Sequence, residues 1–98
     1  MIVRYSPRAT RDLESIREYL ARHTPKGTVS VFTAIYAAIE FVRRHPEAAE
    51  VTRIPGVRVK IVPRYRFKIF YRVLETADTV EIVHVRHTSR RPWLAESD

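Results

Sequence analysis

The 98-residue chain has no cysteine, only two glycines, one tryptophan and one methionine. Without thiols it forms neither disulfides nor thiolate metal sites, and its chemistry suits a reducing compartment. So few glycines and no low-complexity tract leave little room for linkers or disordered tails, beyond roughly the last few residues. No apolar run approaches the length needed to span a bilayer, and the opening MIVRYSPRATRDL has no apolar signal core. A soluble cytoplasmic protein with no membrane partner is the expectation. No spacing of His, Asp and Glu suggests a metal site, so neither a metal nor a cofactor is expected. Acidic residues are also scarce: 11 Asp and Glu stand against 18 Lys and Arg, for a formal charge of +7 and a pI near 10.4. Such a field favours an anionic partner and says nothing about the fold. The length holds one domain, residues 1–98, with one modest core.

The elements follow from periodicity and punctuation. Ile2 to Tyr5 is a short apolar strand closed by Ser6-Pro7, where Ser6 suits a helix cap and Pro7 the first turn. Ala9, Leu13, Ile16 and Leu20 recur at spacings of four, three and four, which predicts an amphipathic helix from Pro7 to His23. Arg8 with Asp12, Glu14 with Arg17 and Glu18 with Arg22 read as ion pairs on its wet side. Thr24-Pro25 starts a second helix, to about His45. Its broader stripe of Val31, Phe32, Ile35, Tyr36, Ala38, Ile39 and Val42 implies contact with both a sheet and the first helix. Two helices this close in sequence form an antiparallel hairpin. His23 and His45 fall at helix C-termini, where imidazolium is favoured. Residues 46–55 connect onward, with a short extended piece at 51–54.

The last third, VRVKIVPRYRFKIFYRVLETADTVEIVHVRHTSRRPW, carries the alternation of three antiparallel strands and most of the charge. Nine Lys or Arg stand against three acids between Val57 and Arg91. Phe67, Ile69, Tyr71 and Val73 point one way, Arg66, Lys68 and Arg72 the other. Placing Val57, Val59 and Ile61 with the first set puts Arg58, Lys60, Arg66, Lys68 and Arg72 on one exposed cationic face. A hairpin at 75–78 that pairs Leu74 with Thr79 sets Arg72 opposite Glu81, Lys68 opposite Val85 and Arg66 opposite His87. His84 then shares a face with Ile69 and Ile82, as a hydrogen-bonded core histidine. The last strand is apolar on both sides, so a partner covering Phe70, Val83 and Val85 is expected, with scattered surface apolar residues as the alternative. The architecture is α+β, β-α-α-β-β-β, with the helical hairpin packed on an antiparallel sheet.

This order resembles the RelE/ParE toxin superfamily of type II toxin–antitoxin systems. Tyr5-Ser6-Pro7 with Ala9 and Asp12-Leu13 is similar to that family's opening of helix one, and Arg44-His45-Pro46 to the end of helix two. Arg66-Phe67-Lys68-Ile69-Phe70-Tyr71-Arg72-Val73 resembles its Y-x-x-x-Y-R-V strand. Val80 to His87 with Arg90-Arg91 resembles the last strand and tail. The resemblance implies a toxin neutralised by a cognate antitoxin in a hetero-oligomeric complex, with Leu13, Leu20, Phe32, Phe70, Val83 and Val85 as antitoxin contacts. It also implies one of two targets. ParE-like members poison DNA gyrase; RelE-like members cut messenger RNA on the ribosome without metal, letting the 2′-hydroxyl attack the adjacent phosphate.

Metal-free RNA cleavage needs a base, an acid and cations for the charge that develops on phosphorus. By resemblance Lys60 with Arg58 nearby, Lys68 and Arg90 take the cationic roles, and His87 serves as acid or base. Two departures weaken that set. No tyrosine follows Arg90, where only Trp93 is aromatic, and Lys68 in place of arginine gives up bidentate phosphate contact. The ending His87-Thr88-Ser89-Arg90-Arg91 looks more like the ParE-type tail. Gyrase poisoning is therefore preferred, with Arg58, Lys60, Arg66, Lys68, His87, Arg90, Arg91 and Trp93 as target contacts. The ribosome-dependent RNase is the alternative, with Lys60, Lys68, His87 and Arg90 as catalytic residues. A non-toxic nucleic-acid-binding module comes third, because Phe67 and Tyr71 point with the core and leave no stacking platform on the cationic face.

Overall fold

A computed structural model describes residues 1–89, so Arg90, Arg91 and Trp93 lie outside the described residues. The elements are β1 (Ile2–Tyr5), α1 (Pro7–His23), α2 (Thr28–Arg44), β2 (Glu50–Val51), β3 (Val57–Val62), β4 (Phe67–Leu74) and β5 (Thr79–His87). Ser6 caps α1 by accepting from Ala9 N at 3.0 Å. The Thr24-Pro25 break gives one 3-10 turn, Pro25–Gly27, before α2 begins. Among the described residues no helix is long and apolar enough to cross a membrane.

The five strands form one sheet in the order β1-β5-β4-β3-β2. The pairs are antiparallel except β1 with β5, which is parallel because α1 and α2 intervene. Both helices cover one face. Val31, Ile35, Ala38, Ile39 and Val42 of α2 and Ala9 of α1 pack on Val62, Phe67, Ile69, Tyr71, Val80, Ile82 and Val85. On the other, open face a small cluster of Phe70 and Val57 is flanked by Ile54, Val59 and Val83. The α2 stripe is buried as expected except for Tyr36, which is 44% exposed.

Two registers depart from the sequence expectation. Val62 pairs with Phe67 across a four-residue turn, so Lys60 lies opposite Ile69 and Arg58 opposite Tyr71. Directly paired residues share a face. Arg58 and Lys60 therefore lie under the helices, while Val57, Val59 and Ile61 share the open face with Arg72, Phe70 and Lys68. The turn sets this phase, and a one-residue difference turns every side chain of the strand over. It is a tight turn without glycine: Arg64 and Arg66 take the left-handed region at φ 78° and 60°.

The second departure is a β-bulge. Tyr71 pairs with Ile82 and Phe70 with His84, so Val83 is the extra residue on β5. The expected pairing of Leu74 with Thr79 and Arg72 with Glu81 holds, but past the bulge Lys68 faces Arg86 and Phe67 faces His87. The bulge resets the alternation and returns Val85 to the helix-covered core beside Ile82. That is why β5 reads as apolar on both sides. Phe70 and Val85 lie on opposite faces, and His84 shares a face with Phe70 rather than with Ile69.

Candidate functional site

β1 ends at Tyr5, so among the described residues the second half of β5 has no strand on the side away from β4. α1 takes that place. Ser6 N donates to Ile82 O at 2.9 Å and Ser6 Oγ to Val83 O at 3.1 Å. Nearly two turns later Asp12 Oδ2 accepts from Val85 N at 3.0 Å and shares a 2.7 Å hydrogen bond with His84 Nδ1. An ionised Asp12 only accepts, so the shared proton sits on Nδ1. His84 is 5% exposed and its ring stacks on Phe70 at 5.7 Å. Asp12, read from the sequence as a wet-side charge, is instead a half-buried bridge from helix to strand edge. Its spacing carries the signal: three residues after Ala9 and four before Ile16, it borders the apolar stripe.

Beside this bridge opens a groove of about 860 Å³ between α1, the start of α2 and the end of β5. Ile16, Leu20, Val31, Phe67 and Val85 give it an apolar lining, with Arg8, Arg86 and His87 adding positive or titratable groups. At its rim Tyr19 stacks on His23 at 4.1 Å, and His23 Nδ1 lies 2.9 Å from Tyr19 O. His87 Nδ1 contacts Ser89 Oγ at 2.7 Å, and its ring meets Phe67 edge-on at 5.2 Å. A separate hollow of about 270 Å³ is lined by Tyr5, Leu13, Arg17 and Tyr36 among others, and burial raises the Tyr5 phenol above its ordinary pKa, helped by Tyr36.

The residues expected to contact an antitoxin thus fall in different places. Leu20 and Val85 line the large groove and Leu13 the small hollow. Phe32 is buried, with the Arg17 guanidinium 4.1 Å from its ring centre. Phe70, at 0% exposure, is closed off by the chain's own open-face cluster, with Val83 beside it.

The expected cationic face is divided. Under the helices Arg58 Nη1 donates to Ala49 O at 2.7 Å and to Glu47 O at 3.2 Å, and Lys60 Nζ lies 4.4 Å above the Phe41 ring. Tyr71 donates to Pro46 O at 2.7 Å from the same side, and burial raises its phenol above the ordinary value. Lys68 and Arg72 point to the opposite face. Arg66 is exposed on the β3–β4 turn, its carbonyl accepting from Thr88 N at 2.8 Å. Of the proposed RNA-cleaving set, Lys60 and His87 lie on the helix side, Lys68 does not, and Arg90 is outside the described residues. No three His, Asp or Glu side chains converge as a metal site would need, among the described residues.

Comparison with known proteins bears on this arrangement. The family profile described as "ParE toxin of type II toxin-antitoxin system, parDE" matches residues 3–92. A chain of the chromosomal ParDE toxin–antitoxin system from P. aeruginosa superposes with a TM-score of 0.76 at 19% identity, covering 89% of this chain and 95% of that one. The isolated E. coli RelE toxin gives 0.59 at 16% identity, over 92% and 86%. A chain of a RelBE toxin–antitoxin complex from Mycobacterium tuberculosis gives 0.57 at 22%, over 91% and 92%. At these identities the structural likeness speaks to the fold alone. No curated protein sequence matches the chain.

Proposed function

The chain belongs to the ParE toxin family of type II toxin–antitoxin systems, and from that premise we propose that it arrests growth by poisoning DNA gyrase. The observation that carries the choice of target is the division of the basic residues. Cleavage of RNA by its own 2′-hydroxyl, which bonds to phosphorus as the 5′-oxygen leaves, needs base, acid and cations gathered around one phosphate. Lys60 and Lys68 stand on opposite faces of the sheet and cannot serve one phosphate together. Arg58 is spent on two carbonyls of the 46–49 connection. What is left for a target is binding surface: exposed Arg66 on its turn, His87 at the end of β5, and the Arg90, Arg91 and Trp93 that follow in sequence.

The same proposal includes a cognate antitoxin in a hetero-oligomeric complex. The large groove suits an apolar segment that lays its side chains against Ile16, Leu20 and Val85. Acidic residues of that segment would meet Arg8 and the surrounding field of a +7 chain.

Two assays run in parallel on antitoxin-free protein test the target. Gyrase supercoiling is measured with a readout for trapped cleaved DNA, and translation with mapping of cuts on ribosome-bound message. Lost supercoiling or trapped breaks with intact message is the expected result. Codon-positioned cuts with normal supercoiling would overturn it and make Lys60, Lys68, His87 and Arg90 catalytic candidates.

A further inference from the structure

The open face of the sheet carries a charge arrangement that neither the groove nor the target reading uses. In one row across three strands, Arg4 of β1, Glu81 of β5 and Arg72 of β4 stand side by side. Arg4 Nη2 donates to Glu81 Oε2 at 3.1 Å and Arg72 Nε to Oε1 at 2.6 Å. The carboxylate's side chain is only 10% exposed, whereas those of the arginines are 56% and 50% exposed. Each guanidinium has five N–H donors and gives the carboxylate one nitrogen, so the others are not used by Glu81, on side chains that are half in water. Burial alone would raise the Glu81 pKa; the hydrogen bonds from Arg72 and Arg4 outweigh it, and the carboxyl stays charged below its ordinary range.

We infer that Arg4 and Arg72, oriented by Glu81, form a clip for the phosphodiester backbone of nucleic acid on the face of the sheet away from the helices. Planar guanidinium forks match phosphate oxygens, and a shared buried carboxylate removes the cost of ordering two long side chains on binding. Lys68, opposite Ile61 of β3, adds positive charge on the same face, against Glu50 on the far edge strand. Among the described residues the face shows no exposed aromatic to stack a base, since Phe70 is fully buried, so the clip's contact runs through the backbone and is independent of sequence. Among the described residues its exposed large apolar side chains, Ile2 and Ile61, stand at opposite corners. The inference does not rest on the gyrase reading, because naked DNA is the probe.

The test is fluorescence anisotropy of a short DNA duplex with the full, antitoxin-free chain over a range of salt concentrations. Arg4→Ala with Arg72→Ala should weaken binding roughly tenfold and lower the salt slope by about 1.8, near 0.9 for each lost phosphate contact. Arg4→Lys with Arg72→Lys keeps the charge and should keep the slope while losing affinity. Glu81→Gln decides between an oriented clip and diffuse attraction. It removes a negative charge and so raises the net charge by one, yet should loosen binding, because it frees the guanidiniums. Unfolding midpoints of all variants, taken at the assay pH, separate lost binding from lost folding. Tighter binding by Glu81→Gln, an unchanged slope in the double alanine variant, or equal competition by poly-glutamate would each overturn the inference.

Discussion

The two faces of this sheet hold their cations in opposite ways. Under the helices, Arg58 is anchored on backbone carbonyls and Lys60 on an aromatic ring, so their donors are turned toward the protein. On the open face, Arg4 and Arg72 are anchored on a carboxylate and keep half of their surface in water. A basic residue on a strand therefore announces little by itself. What matters is whether its anchor absorbs the charge or aims it.

The comparison is sharpest where apolar residues of the two faces are cut back in the same way. Ile69→Ala, beneath the helices at 0% exposure, should cost about 2–5 kcal/mol in denaturant unfolding. Ile61→Ala, on the open face at 45% exposure, should change stability by no more than about 0.5 kcal/mol. Equal losses would break the comparison and show that the open face is covered in solution. Next in size is the bridge that joins helix to strand edge. Asp12→Ala leaves the Val85 N–H and His84 Nδ1 without their acceptor, at about 1–3 kcal/mol. Hydrogen exchange at Val85 should accelerate in that variant while exchange at Ile35 follows global stability; protection kept at Val85 would mean another acceptor replaces the carboxylate.

The smallest effects are electrostatic. The folded pKa of Glu81 is lowered, so its contribution is complete above the ordinary glutamate pKa of about 4.3 and is lost as pH falls through the lowered value. Unfolding curves of the parent and Glu81→Gln should differ near neutral pH and converge on acidification. Glu40 makes the instructive contrast. Hydrogen bonds from Arg43 lower its pKa to about 2, with Arg44 adding to them, yet all three lie on the outer surface of α2. Solvent screens such a network, and Glu40→Ala should leave the unfolding midpoint nearly unchanged. A loss rivalling that of Asp12→Ala would show that exposure is a poor guide here.

Much of the architecture was legible in sequence because it is written in local periodicity. The bounds of α1, the apolar stripe of α2 and the pairing of Leu74 with Thr79 all follow from spacing and turn residues. The cationic face failed because strand phase is set at the turn, and residues 63–66 hold no glycine to mark the left-handed positions that Arg64 and Arg66 adopt. β5 misled for a related reason: the bulge at Val83 has no residue signature, and alternation counted from one end is wrong past it. Among site residues, Arg4 and Arg72 were missed as a pair because 68 residues separate them and only the parallel β1–β5 pairing brings both to one carboxylate.

The carboxylate of Asp12 on the edge of β5 has one more consequence. An uncovered strand offers its N–H row to any other chain, and a second copy is the most abundant candidate during synthesis. With Val85 N already bonded and α1 lying along the edge, adding a strand there means first detaching a helix from the core. Fibril growth from that edge thus requires partial unfolding, so the lag before aggregation should track the stability of α1 docking rather than protein concentration alone.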